Sequence, residues 1–233
     1  MTPLRIFIGF DTSEPAAYHV AAHSILMRAS KPIAITPLAR WTLRDIFTRE
    51  RGPLDSTDFA ISRFLVPAIC GYGGWAIYMD CDMLVRCDIH GLITLARKDR
   101  HHALWCVQHD YIPKDTVKFE GHVQTVYPRK NWSSLMVFRN KFCTDLTPEY
   151  VQRASGSDLH RFRWLPDDAI GKLPTTYNWL VGEYEANPDA KILHYTRGGP
   201  WFREYQQCDH AQEWFDELER AVPSLYATKT VGV

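Results

Sequence analysis

At 233 residues, with 45% hydrophobic and 23% charged content, the chain has enough apolar material for one sizeable α/β domain over 1–233, and no charged, apolar-poor stretch that reads as disorder. Its 27 Lys and Arg balance 27 Asp and Glu, so no global field pulls it onto nucleic acid or an anionic membrane, and an anionic ligand must be held locally. The six cysteines are scattered without a C-x-x-C pair, which disfavours zinc and fits reduced thiols, and no apolar run approaches the roughly 20 residues of a membrane-spanning helix. A cytoplasmic protein is expected, with peripheral contact at the inner face of a membrane as its closest membrane association.

Leu4 to Phe10 is a continuous apolar and β-branched run, the pattern of a strand buried on both faces of a parallel sheet. Asp11-Thr12-Ser13-Glu14-Pro15 ends it. Ser13 as N-cap and Pro15 in the first turn predict a helix in which Tyr18, Ala21, Ala22, Ile25 and Leu26 recur at helical spacing. Ile33 to Leu38 predicts a second strand. Ser56-Thr57-Asp58 caps a predicted helix that carries Phe59, Phe64, Leu65 and Ile69 to about Gly71, with a kink at Pro67. Trp75 to Met79 is an apolar strand that ends at an acidic triplet. Ala103 to Val107 and Leu135 to Phe138 are further strands, and the polar stretch between them reads as irregular or hairpin. Pro148 to Ala154 and His210 to Val222 are helical by periodicity. Lys191 to Tyr195 is a short strand running into the turn Arg197-Gly198-Gly199-Pro200-Trp201. With no repeat or linker, the pattern is a mixed, mainly parallel α/β domain.

Asp80-Cys81-Asp82 follows directly on the strand Trp75 to Met79. Its two carboxylates, two residues apart, can point to one side of the sheet's carboxyl edge, where open α/β sheets bind ligands. Paired carboxylates suit a hard cation such as Mn²⁺ or Mg²⁺, which would neutralise a diphosphate. A solvated acidic turn is the alternative reading. His194 ends another strand and offers a third, softer ligand that favours Mn²⁺. Gly198 and Gly199 would let backbone approach phosphate, and Arg197 would bring charge to it, unless the segment is only a surface turn.

Ile77-Tyr78-Met79-Asp80-Cys81-Asp82-Met83-Leu84-Val85 followed by Asp88-Ile89 resembles the "YlDaDivv…Di" block of GT-A fold, family 8-type glycosyltransferases, the relatives of glycogenin and of lipopolysaccharide galactosyltransferases. Phe59-Ala60-Ile61-Ser62-Arg63-Phe64 is similar to that family's arginine-bearing helix, and Asn131 to Phe138 to its "FNaGvlliN" strand. Leu165-Pro166-Asp167-Asp168-Ala169-Ile170 is similar to its "DQD" segment, and His194 to Trp201 to its closing "HytG..KPW". The chain departs from the pattern at Trp132-Ser133-Ser134, at Pro166-Asp167-Asp168 and at Gly199, where the family carries lysine.

The resemblance implies a GT-A domain that transfers a sugar from a nucleotide-sugar, a UDP-sugar, with retention of configuration, to a glycan, glycolipid or other small acceptor. It makes Asp80, Asp82 and His194 the Mn²⁺ site. Phe10, Asp11 and Tyr18 become nucleotide contacts, with Cys81, Arg197, Gly198 and Gly199 completing the donor site. Arg63 faces the diphosphate or donor sugar, and Asp167 or Asp168 the far face of the sugar, where a carboxylate would stabilise the cation or act as nucleophile; a capping pair before a helix near Ala169 is the other reading of those acids. A metal-dependent phosphohydrolase and a non-catalytic nucleotide-sugar-binding module of the same fold are the competing functions.

Overall fold

The computed structural model describes residues 2–52, 55–99, 101–110 and 128–223. Its main sheet has six strands in the order β2-β1-β3-β6-β5-β7. β1 (Leu4–Phe10) runs parallel to β2 (Ile33–Ala39) on one side and to β3 (Trp75–Met79) on the other. β6 (Leu135–Arg139) lies antiparallel to both β3 and β5 (Leu104–Cys106), and β7 (Ile170–Lys172) pairs parallel to β5. The sheet is thus mixed and mainly parallel, as expected. Ile6, Ile8, Ile77, Tyr78, Val137 and Phe138 are fully buried, which is why these strands read as unbroken apolar runs. Pro37, which cannot donate to a ladder, sits in the outer strand β2.

In a second sheet of three short strands, β4-β9-β8, β9 falls within the expected strand Lys191 to Tyr195, whereas β4 and β8 had no clear sequence signal. β4 (Met83–Val85) pairs antiparallel with β9 (Ile192–His194), which pairs parallel with β8 (Trp179–Leu180). Strands of two or three residues are too short to show an alternation. α1 (Pro15–Leu26) and α6 (Ala211–Ala221) pack together, and the buried Glu217 of α6 accepts from His23 of α1 and from Arg28 just beyond it, at 2.7 and 2.9 Å. Trp214 of α6 is also buried, so the aromatic-rich carboxyl region contributes to the core.

Three expectations are corrected. The helix over 56–71 is instead a turn, a 3₁₀ segment Ser62–Leu65 and one α turn, α2 (Val66–Ile69). Pro67 lacks the N–H that would bond to the Arg63 carbonyl, so it starts a short helix rather than kinking a long one. Ser13 does not cap α1: its N–H and its hydroxyl both donate to Asp11 Oδ1, at 2.9 and 2.7 Å. No helix starts near Ala169, because Asp167–Ala169 is a single 3₁₀ turn that leads into β7. α4 (Pro148–Arg153) forms as expected, while α5 (Gly156–His160) and α3 (His90–Ala96) are additions. Most of the polar stretch read as irregular or hairpin lies outside the described residues. All six cysteines are free, and no described helix is long and apolar enough to cross a membrane.

Candidate active site

The chain leaves β3 at Asp80, whose backbone N–H donates to the Ser134 carbonyl at 2.9 Å. Three residues later β4 begins with Met83 opposite His194, and the Tyr195 N–H donates to the Asp82 carbonyl at 2.9 Å. The two sheets therefore meet at the acidic triplet. Asp80, Asp82 and His194 each offer a ligand atom, and these atoms lie within 4.8 Å of one another. Two carboxylate oxygens with one imidazole nitrogen make a donor set suited to a divalent cation. His194 Nε2 is 3.3 Å from Asp82 Oδ2, while its Nδ1 is bonded at 2.8 Å to Asn178 Oδ1. A second partner of this kind is what orients a metal-binding histidine, so the residues present fit a divalent cation.

Arg63 is brought to the triplet, but by a route the sequence did not suggest. It is 5% exposed, with Nη1 2.8 Å from Asp80 Oδ1 and 3.1 Å from the Ser133 carbonyl oxygen, and its guanidinium lies over the rings of Phe59 and Tyr78. The Tyr78 hydroxyl also donates to Asp80 Oδ1, at 2.6 Å. Burial raises the Asp80 carboxyl above its ordinary range, and Arg63 pulls the other way. Arg63 is thus the buried counter-charge of Asp80.

The residues expected at the nucleotide gather at the carboxyl end of β1. The Phe10 ring meets Tyr18 and Trp41 edge-on, with centroids 5.2 and 5.5 Å apart, and Trp41 is 47% exposed. Asp11 is buried and accepts from the Asp58 N–H at 2.8 Å as well as from Ser13, so it fastens the 58 turn to the strand end.

Other expected residues stand elsewhere. The register sets Ile170 beside Leu104, which faces Phe138, which in turn faces Ala76 at the far end of β3 from Asp80. Asp167 and Asp168 come before Ile170, so the structure does not bring them to the triplet. Asp167 is 80% exposed and paired with Arg129 at 2.5 Å. The Cys81 thiol turns inward to Glu14 Oε1 at 3.5 Å. Gly198 has φ of 125°, a backbone only glycine adopts readily, and its N–H is already given to the Tyr195 carbonyl at 2.8 Å. At Gly199 a Cβ would fall 2.0 Å from the Trp201 ring, so that glycine makes room for the indole. Arg197 leans on Gly182, with Nη1 3.4 Å from its carbonyl oxygen.

Sequence reasoning missed Glu14, Asn178, His109 and His160. Ser133 Oγ is 2.7 Å from His160 Nδ1, and burial followed by the nearby Arg63 charge lowers that imidazole to a pKa of about 3. His109 is lowered to about 3 by burial and then by His194, and its Nδ1 meets the Tyr184 hydroxyl at 2.8 Å. These are contacts between distant elements, without any local motif.

Glu14 is 3% exposed, and its Oε2 accepts from Trp201 Nε1 at 3.2 Å. Burial first, then the charges of Asp82 and Asp11, raises its carboxyl well above the ordinary 4.5. A raised folded value means that the stability it contributes is full below pH 4.5 and is lost as pH climbs through the folded pKa. Glu14→Gln keeps an acceptor for Trp201 and carries no charge. Its melting temperature relative to wild type should therefore climb from pH 4.5 upward in EDTA, and a difference that is flat with pH would rule this out.

No family model matches the chain. The Arabidopsis thaliana protein named Protein CDI is 47% identical, over 93% of this chain and 86% of that protein. Among solved structures, the bifunctional glycosyltransferase WbbM superposes with a TM-score of 0.64 at 12% identity, covering 93% of this chain and 50% of its own. GlyE of Streptococcus pneumoniae TIGR4 gives 0.59 at 16% identity, covering 97% of this chain and 64% of GlyE. The galactosyltransferase LgtC, solved with donor and acceptor sugar analogues, gives 0.57 at 12% identity, covering 93% and 96%. The chain thus spans half of WbbM and somewhat under two thirds of GlyE. The shared architecture is the GT-A glycosyltransferase fold.

Proposed function

This chain belongs to the family of the Arabidopsis thaliana Protein CDI, and we propose that it is a metal-dependent glycosyltransferase, family 8-like, that moves a sugar from a UDP-sugar to a glycan, glycolipid or other small acceptor. One observation carries the reading: the cluster of Asp80, Asp82 and His194 at the edge where the two sheets meet. These three residues would hold Mn²⁺, which when bound offsets the negative charge of a departing diphosphate. The rest of the work falls to the chain. Arg63 opposes the upward pull of burial on the Asp80 carboxyl and holds that side chain in place at the edge. Phe10, Tyr18 and the exposed Trp41 give the uracil ring an aromatic wall, and Asp11 holds the turn beside it. Because the Asp167 carboxylate is taken up by Arg129, the retaining transfer we propose is a same-face internal return, in which the acceptor enters from the leaving-group side and no protein nucleophile is used.

Calorimetric titration with UDP in the presence of Mn²⁺ and in EDTA tests this, together with UDP release from a panel of UDP-sugars. We expect UDP to bind only with Mn²⁺ and UDP-sugar to turn over slowly without acceptor. UDP binding indifferent to Mn²⁺ would sink the proposal. Mn²⁺-dependent binding with neither hydrolysis nor transfer would point to the non-catalytic module, and hydrolysis of simple phosphoesters to the phosphohydrolase.

A further inference from the structure

Behind His194 runs a hydrogen-bond chain whose direction is set by its shortest link. His194 Nδ1 is 2.8 Å from Asn178 Oδ1, Asn178 Nδ2 is 2.9 Å from Ser134 Oγ, and Ser134 Oγ is 2.7 Å from the backbone carbonyl oxygen of Asn131. That carbonyl can only accept. Ser134 has a single hydroxyl proton, and it goes to the carbonyl, so Ser134 Oγ must accept from Asn178. Asn178 then shows its N–H to Ser134 and its oxygen to His194, and His194 donates from Nδ1. In the neutral ring this leaves Nε2 with a lone pair and no proton, and Nε2 is the atom 3.3 Å from Asp82 Oδ2. A lone pair set against a carboxylate asks for a cation between them.

The alternative direction is costly. Turning the Asn178 amide over would draw the Ser134 proton away from Asn131, giving up the 2.7 Å bond and leaving that carbonyl with only the longer one from the Ser134 N–H at 3.3 Å. Asn178, His194 and Ser134 are 0%, 1% and 2% exposed, so little water is at hand to compensate. Asn131 is itself pinned, in a left-handed backbone with φ of 62° and with Nδ2 donating to Thr196 Oγ1 at 3.1 Å. Ser134 also serves the other side of the cluster, because its carbonyl accepts the Asp80 N–H at 2.9 Å. One serine therefore touches both halves of the ligand set.

We propose that Ser134 and Asn178 are positioning residues that lock His194 as its Nδ1–H tautomer, so that Nε2 stands ready as a ligand before any cation arrives. This rests on the reading of Asp80, Asp82 and His194 as cation ligands. Nitrogen-15 NMR of histidine-labelled, metal-free protein reads the tautomer directly. His194 should be Nδ1–H in the wild type and shift toward Nε2–H in Asn178→Leu and Ser134→Ala. Electron paramagnetic resonance titration with Mn²⁺ alone reads the consequence, a roughly 10-fold loss of affinity in each variant. Ser134→Thr keeps the hydroxyl and should stay within about twofold of wild type, and Ser134→Ala placed on Asn178→Leu should cost nothing more.

A wild type with no Mn²⁺ affinity overturns the cation site, and the proposal with it. A wild type that binds Mn²⁺ while Asn178→Leu and Ser134→Ala bind equally well, or while their losses add, overturns the relay alone, as does an Nε2–H ring in the wild type. Should Ser134→Ala not fold, Asn178→Leu decides on the same two readouts.

Discussion

Asp82→Asn is expected to give a folded protein whose UDP affinity no longer depends on Mn²⁺. The fold survives because the contact that joins the two sheets at this residue is made by its backbone: the Asp82 carbonyl accepts from Tyr195 N–H, and Asn keeps that carbonyl. What changes is the side chain beside His194 Nε2, where a charged oxygen becomes a neutral amide. Removing even an outer partner of a metal ligand costs about 10- to 100-fold in affinity, so losing the charge of a direct ligand should cost on the order of 100-fold or more. Calorimetry with Mn²⁺ and then UDP measures it, with far-ultraviolet circular dichroism as the control for folding. Equal UDP affinity in Mn²⁺ for variant and wild type would count against the assignment.

Arg63→Met should be the most destabilising single change in the site, by about 3–5 kcal/mol at neutral pH. It removes one partner of a buried pair and leaves the Asp80 carboxylate with the Tyr78 hydroxyl and no facing cation. The loss has a definite pH dependence. Asp80 is already raised above its ordinary 3.8 by burial, and without Arg63 it rises further. A raised folded value means full stability below pH 3.8 and a growing deficit as pH climbs through the folded pKa. Variant and wild type should therefore converge in acid and diverge toward neutrality. Mn²⁺ should recover part of the deficit, since a cation beside Asp80 replaces the missing charge. Urea denaturation in acid and at neutral pH, in EDTA and in Mn²⁺, checks each point; a neutral-pH loss below about 1 kcal/mol would mean the pair behaves as an exposed one.

The main sheet was legible because β1 and β3 are covered on both faces and must be apolar without a break, and Asp80-Cys81-Asp82 was legible because polarity begins abruptly where β3 ends. His194 could be placed at a strand end for the same reason. Asp167 and Asp168 show where local reading stops. They carry the right chemistry, but their position depends on which residue of β5 faces Ile170, and pairing between strands distant in sequence leaves no mark on either segment. Arg63 was found by its neighbours in sequence, yet its burial against Asp80 and the Ser133 carbonyl depends on partners from other elements. Asn178 and Glu14 were invisible because their partners, Ser134 and Trp201, belong to other elements.

The pairing of β4 with β9 also bears on biosynthesis. Synthesis runs from the amino end, so both acids of the cluster, and Arg63 with them, leave the ribosome long before His194 does. Until β9 arrives and pairs with β4, the cluster has its two aspartates without His194, and β4 has no partner strand. His194 and the last strand of the small sheet are delivered by one event, so the protein completes the Asp80, Asp82 and His194 cluster at the same moment that it covers the β4 edge.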